Sequence, residues 1–378
     1  MKTDSGLAAW LRLTLTPGIG GESQRRLLAA WGLPEAIFTR SAADLHAVIG
    51  QRANQLLNDP PQAAIDAALA WAELPGHRIL TLADADYPQM LLDTPDPPSV
   101  LYVLGEPRHL NQSSLGVVGS RNATPQGLRN AEEFSAALAG RGWQIVSGMA
   151  LGIDTAAHQG ALRAGGVTVA VIGTGIDRVY PARNHDLARR IAAQGAIVSE
   201  FALGTPAMAG NFPRRNRLIA GLSRGVLVIE AAVESGSLIT ARLAGELGRE
   251  VFAIPGSIHS PQARGCHRLI RDGAKLVETA EHIEEELRPV CGFSTPVCRR
   301  AEAIHNGADG LSAVVPDVVV DTSAESGLLA LIGFDSVSLD ELVAASGQTT
   351  ETLLAALLEL ELSGQIAPLP GNRYQRLL

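Results

Sequence analysis

The sequence has 378 residues, a formal net charge of −8, 46% hydrophobic residues and 19% charged residues. That length implies more than one domain, and that composition excludes an intrinsically disordered chain. With no apolar run of about eighteen residues and no basic-then-apolar leader pattern, the expectation is a soluble, cytoplasmic protein without a membrane partner.

Residues 1–75 read as helical. "TPGIGGESQRRLLAAWG" sets a Pro-Gly-Ile-Gly turn before an apolar-periodic helix, and "SAADLHAVIGQRANQLL" repeats the arrangement around Ile49 and Gly50. Paired glycine turns between short helices fit a helix-hairpin-helix, SAM-like domain, whose turn amides either hold a phosphate or serve packing alone. The proline-rich "ADYPQMLLDTPDPPSVLYVLGEP" then leads onward with one strand at 100–104. From Leu115 the period changes. The apolar runs "SLGVVGS", "WQIVSG", "VTVAVIGTG", "AIVSE", "GVLVIEAA" and "EVFAIPG" alternate with helical segments such as "TPQGLRNAEEFSAALAGRG" and "SGSLITARLAGELGR". Such alternation predicts an α/β fold over 76–290, a Rossmann-like, doubly wound, mainly parallel sheet covered on both faces. Residues 291–322 show no sustained period and read as a linker. Residues 323–378 read as three helices, one opened by a Ser338–Glu341 capping box, and a hairpin turning at Pro370–Gly371: a winged-helix-like domain.

Charge is divided unevenly along this chain. Residues 113–290 carry 19 basic and 16 acidic side chains, whereas residues 323–378 carry 2 and 7. A polyanion is therefore expected on the middle domain. Doubly wound sheets bind ligands beyond the carboxyl ends of their strands, where helix starts offer free N–H groups. Four small loops fall there: Gly119-Ser120-Arg121, Ser147-Gly148, Gly173-Thr174-Gly175 and Ser235-Gly236-Ser237. They are either a phosphate-lined crevice or simply tight turns. "FPRRNRLIAGLS" adds Arg214, Arg215 and Arg217 at a helix start, with Asn216 among them and Leu218, Ile219 and Leu222 as the packing face. A helix start is already electropositive, so these cations await either acidic neighbours such as Glu200 and Glu230 or an anion from outside. Phe212 is either a stacking platform or a core residue.

The kind of phosphate is narrowed by what is missing. No Gly-x4-Gly-Lys-Ser/Thr loop occurs, and Gly173-Thr174-Gly175 lacks the third glycine of a dinucleotide site. Several arginines without a mononucleotide fingerprint suit the repeated phosphates of single-stranded nucleic acid. The competing reading is a nucleotide-processing enzyme, phosphoribohydrolase-like, in the same crevice. Asp154 and His158, four apart on one helix, would then be an acid/base pair rather than a structural one, and Glu230 a second carboxylate. Cys266, Cys291 and Cys298 make neither a disulfide framework nor, with His259 and His267, a zinc pattern, so neither metal nor cofactor is expected.

Taken in order, "GSR", "SGMALGID" with "AAH", "GTG", "FPRRNRLIAGLS", "SGSLITA" and "GREVFAIPG" resemble the DNA-processing protein A family, DprA or Smf, through nearly all of residues 80–285. The resemblance implies a Rossmann-like domain that binds single-stranded DNA, protects incoming DNA in natural transformation and helps load the RecA recombinase. It implies a homodimer and no catalytic residue. Carried onto this chain, it places DNA contacts at Arg121 and the arginines of "FPRRNR", with Gly119, Ser120, Ser147 and Gly148 lining the pocket. The C-terminal segment carries Glu351, Glu359 and Glu361 on its longest helix, which repel phosphate, so a protein contact or dimer support is expected there rather than duplex DNA.

Overall fold

The protein is described by a computed structural model covering residues 4–287, 328–329, 331–332 and 336–377. The expected linker at 291–322, Cys291, Cys298 and most of the first expected C-terminal helix lie outside the described residues. The chain forms two compact units, Met1–Leu287 and Arg288–Leu378. No helix among the described residues is long and apolar enough to cross a membrane.

The first unit opens with six helices: α1 (Asp4–Leu15), α2 (Gly21–Trp31), α3 (Pro34–Ile37), α4 (Ala42–Ile49), α5 (Ala53–Leu57) and α6 (Gln62–Ala72). Both expected glycine turns are present: Gly18 and Gly50 adopt φ of 82° and 62°, a region closed to most side chains. Ser41 and Asp44 form a capping box that starts α4. Leu13, Ile19, Leu27, Ile37, Leu45 and Leu56 fill the helical core. Trp10, Leu11, Ile65 and Ala68 face the other way, into a cluster shared with the sheet, and so tie the helices to it.

Nine strands follow: β1 (His77–Thr81), β2 (Val100–Gly105), β3 (Ser114–Val118), β4 (Gln144–Ser147), β5 (Thr168–Val171), β6 (Ala196–Ser199), β7 (Gly225–Val228), β8 (Glu250–Ala253) and β9 (Lys275–Leu276). Their order is β1-β2-β6-β5-β4-β3-β7-β8-β9. The β1–β2 and β2–β6 pairs are antiparallel and the rest parallel. Every residue of β3 to β7 is buried. This is the signature of a sheet covered on both faces and the reason those runs are continuously apolar. Val118, Val146, Val169 and Val228 pack beneath α11 (Asn211–Leu222) and α12 (Gly236–Glu246). Leu115, Val117, Ile145 and Leu227 pack beneath α8 (Pro125–Gly140) and α9 (Ile153–Arg163). A short α7 (Gln89–Leu92), α10 (His185–Gln194), α13 (Arg264–Arg271) and α14 (Ala280–Leu287) complete the layers.

The doubly wound architecture is as expected, with two additions. β1 and β9 were not anticipated, since "HRILT" buries only its last three residues and β9 has two. From β3 the chain winds outward through β4, β5 and β6, then returns along α11 to β7 on the opposite flank of β3. Gly116 pairs with Val146 on one side and Val226 on the other. Ser114 Oγ donates to the carbonyl of Leu222, 108 residues on, and fastens the end of α11 to β3. The reversal opens a gap between the carboxyl ends of β3 and β7, the place where such sheets hold ligands.

The second unit is a winged helix. β10 (Val337–Ser338), β11 (Ile366–Leu369) and β12 (Arg373–Arg376) form an antiparallel sheet in the order β10-β12-β11. It joins helices Leu339–Ser346 and Thr350–Leu362 around Leu339, Leu342, Leu353, Leu357, Leu360 and Ile366. The capping box is present: Ser338 Oγ accepts from Glu341 N, and the Glu341 carboxylate accepts from Ser338 N at 2.7 Å. The hairpin turns through Gly371 and Asn372, both at positive φ.

Candidate nucleic-acid interface

The β3–β7 gap is a crevice of about 830 Å³. Gly119, Ser120 and Arg121 supply one wall from the end of β3, Phe212, Arg215 and Asn216 another from α11, and Ser235, Gly236 and Ser237 a third from the start of α12. Ser235 caps α12, its Oγ accepting from Ser237 N at 3.3 Å. The dipole of that helix therefore points its positive end at the crevice.

Arg121 stands at the mouth. It is exposed and forms no ion pair with any described residue. Its guanidinium carbon lies 5.3 Å from the centroid of the Phe212 ring, and that ring lies 5.6 Å from Tyr180. Phe212 is half-buried and Tyr180 is 50% exposed. Phe212 is thus no core residue. Its ring packs on Gly173 at one edge and lines the crevice. A cation over an aromatic pair suits both the phosphates and the base faces of a single strand.

Arg215, expected among the DNA contacts, is buried and forms the floor. It is 4% exposed. Its Nη1 donates to the carbonyls of Gly148, at 2.6 Å, and Val171, and its Nε donates to Asn216 Oδ1 at 3.1 Å. Gly148 is held at both polar atoms, because its N–H donates to Asp154 at 3.1 Å. A Cβ at Gly148 would lie 2.2 Å from the guanidinium, so glycine alone fits. The next residue, Met149, is buried at φ 57°, a conformation a side chain rarely adopts. Burial lowers the Arg215 pKa to about 10, against the pull of Asp154, which leaves the side chain charged at neutral pH. Burial likewise raises the Asp154 carboxyl, against Arg215 and the N–H groups of Ala150 and Gly148.

The other two arginines of the cluster turn away from the crevice. Arg214 and Arg217, three apart, both reach Glu200: Arg214 Nη2 at 3.1 Å, Arg217 Nη2 closer. Arg217 is further tied to Asp96, through its carboxylate at 3.1 Å and its carbonyl at 2.7 Å. The acidic-neighbour alternative therefore holds for these two, with Glu200 and not Glu230 as the partner. Two of the expected loops also have their polar groups satisfied within the protein and lie off the crevice lining. Ser147 Oγ donates to the carbonyl of Val117, and Thr174 Oγ1 to that of Arg178, while Gly175 N donates to Thr205. Helix α11 begins at Asn211, with Pro213 as its third residue.

The residues proposed for acid/base chemistry are spoken for. Asp154 serves the Gly148 loop, whereas His158 is fully buried with Nδ1 2.6 Å from Thr168 Oγ1. Burial, together with the charge of Arg215, pushes the His158 pKa down to about 3, so the ring is neutral. Glu230 accepts from Thr124 Oγ1 at 2.5 Å and Thr124 N at 2.9 Å, at the start of α8. Burial raises its carboxyl. Tyr180 was missed in the sequence, since a lone tyrosine in a loop carries no period. The link from Arg215 through the Gly148 loop to Asp154 was missed too, because 61 positions separate the two residues in the chain.

These features define a class: doubly wound α/β proteins with a cationic, aromatic-lined crevice at the strand-order reversal. The family follows from comparison. Residues 78–288 match the model for DNA recombination-mediator protein A and residues 316–372 that for the DprA winged helix domain. The chain is 40% identical to protein Smf of Escherichia coli over 97% of its own length and 95% of that protein. It is 46% identical to DNA processing protein DprA of Streptococcus pneumoniae over 54% of its length and 73% of that protein. The crystal structure of the pneumococcal protein superposes with a TM-score of 0.67 at 35% identity, covering 74% of this chain and 97% of that one. A Helicobacter pylori DprA structure, which concerns that protein's single-stranded DNA binding mode, superposes with a TM-score of 0.51 at 30% identity, covering 55% and 95%. The chain belongs to the DprA/Smf family.

Proposed function

We propose that this chain binds single-stranded DNA in the β3–β7 crevice, protects incoming strands and helps load RecA onto them during natural transformation or recombination. The observation that carries the binding reading is Arg121, an exposed cation with no ion pair among the described residues, stacked on Phe212 at the mouth of a crevice whose floor holds the Arg215 guanidinium. The single-strand binding of the Helicobacter relative supports it. The RecA and transformation roles rest on the family likeness. The role is binding and not catalysis, a reading supported by the engagement of Asp154, His158 and Glu230 in structural hydrogen bonds. A homodimer through the Rossmann-like unit is supported by an apolar patch near α13, where Val233 is 46%, Leu276 48% and Ile258 74% exposed. A cytoplasmic location fits such work.

The test is a salt titration of binding to a labelled oligonucleotide by fluorescence anisotropy, with and without RecA. Affinity is expected to fall steeply with salt, with little base preference, each phosphate contact adding about 0.7 to the slope of log K against log salt. A salt-independent affinity, or turnover of mononucleotides by the same preparation, would overturn the reading in favour of the nucleotide-processing enzyme.

A further inference from the structure

We infer that Glu200 is a positioning residue that holds Arg214 in reserve, and that a phosphate of the bound strand takes Arg214 over from it. The inference rests on the single-strand reading above and adds to it an ion-pair exchange. Glu200 follows β6 directly, and its side chain is 3% exposed. Both guanidiniums crowd one oxygen, Oε2, while Oε1 is buried without a hydrogen-bond partner. The two arginines are unequal. Arg217 is 15% exposed and anchored a second time by Asp96. Arg214 is 56% exposed and keeps one bond of 3.1 Å, with its guanidinium 5.3 Å from the Phe201 ring centroid.

That inequality decides which cation can move. Loss of Arg217 would leave a buried carboxylate poorly compensated, which is strongly unfavourable. Loss of Arg214 leaves Glu200 still paired with Arg217. Arg214 can therefore exchange a carboxylate for a phosphate without stranding a buried charge. Its position suits the exchange, because Pro213 on one side of it and Arg215 and Asn216 on the other all line the crevice. Arg214, 56% exposed, would be reached by a strand that leaves the crevice over the start of α11 toward Glu200. An arginine held in this way keeps its reach toward solvent while its charge is masked until a stronger anion arrives.

Glu200→Gln removes the competitor. Single-strand affinity is expected to rise several-fold, up to about tenfold, the range of one partly exposed ion pair. The gain is expected to vanish when Arg214→Ala is also present. Arg214→Ala alone, at an exposed site that tolerates truncation, is expected to weaken binding and lower the salt slope by about 0.7. A thermal melt of each variant checks the fold. The inference is overturned if Glu200→Gln leaves binding unchanged or weaker with the fold intact. It is equally overturned if the gain persists beside Arg214→Ala, which would make it a general charge effect, or if Arg214→Ala changes neither affinity nor slope. If the wild-type chain binds no single strand at all, the failure belongs to the proposed function and takes this inference with it.

Discussion

The floor and the mouth of the crevice each present an arginine, and the two are built for opposite tasks. Arg215 is desolvated and fixed by two backbone carbonyls and an asparagine. Arg121 is exposed, has no ion pair among the described residues, and lies over an aromatic face. A buried cation shapes a loop and lends its field to the site. An exposed one is free to neutralise a ligand. Residue type alone does not separate these roles; the partners do.

Substitutions sharpen the contrast in order of effect. Arg215→Met should be the most damaging, because it leaves the buried Gly148 and Val171 carbonyls without their donor. An unfolding titration in urea should show a loss of about 1–3 kcal/mol for each buried carbonyl left unsatisfied. His158, beneath the same floor, sets an acid limit. Its folded pKa is about 3 against an ordinary unfolded value of about 6.5. The unfolded state therefore takes up the proton first, and the stability due to the neutral ring, complete above pH 6.5, declines as pH falls toward 3. In urea unfolding at several pH values, the advantage of wild type over His158→Gln should shrink by up to ~1.4 kcal/mol per pH unit across that window. At the mouth, Arg121→Ala should leave the melting temperature unchanged. It should weaken single-strand binding by about tenfold at low salt and lower the salt slope by about 0.7. A melting shift like that of Arg215→Met would erase the distinction between floor and mouth. Smallest of all, truncation after Leu287 should leave single-strand affinity intact, since the Thr350–Leu362 helix offers Glu351, Glu359 and Glu361 and no cation. A large loss on truncation would move part of the interface onto the winged helix.

Much of the architecture was legible because its physics is local. Continuous apolar runs marked β3 to β8, and the Ser338–Glu341 spacing marked a helix start that the side chains do form. β1 and β9 were not, being too short and too thinly buried to show a period. The site was legible only in part. Arg121 follows a strand-end Gly-Ser, and that is enough to place it. The fates of Arg214, Arg215 and Arg217 depend on Glu200, Asp96, Gly148 and Asp154, whose proximity is a product of the sheet's winding and not of their spacing. A run of three arginines in four positions looks like one feature in the sequence and resolves into two faces of a helix.

The bond from Ser114 to Leu222 has a consequence for how the molecule comes into being. β3 is laid down early, yet its second neighbour, β7, arrives only after the whole β4–β6 flank has been made and α11 has carried the chain back. Pairings so distant along the chain form late and slowly. A nascent or clipped chain ending before residue 230 lacks one entire wall of the crevice, however well its earlier strands have paired.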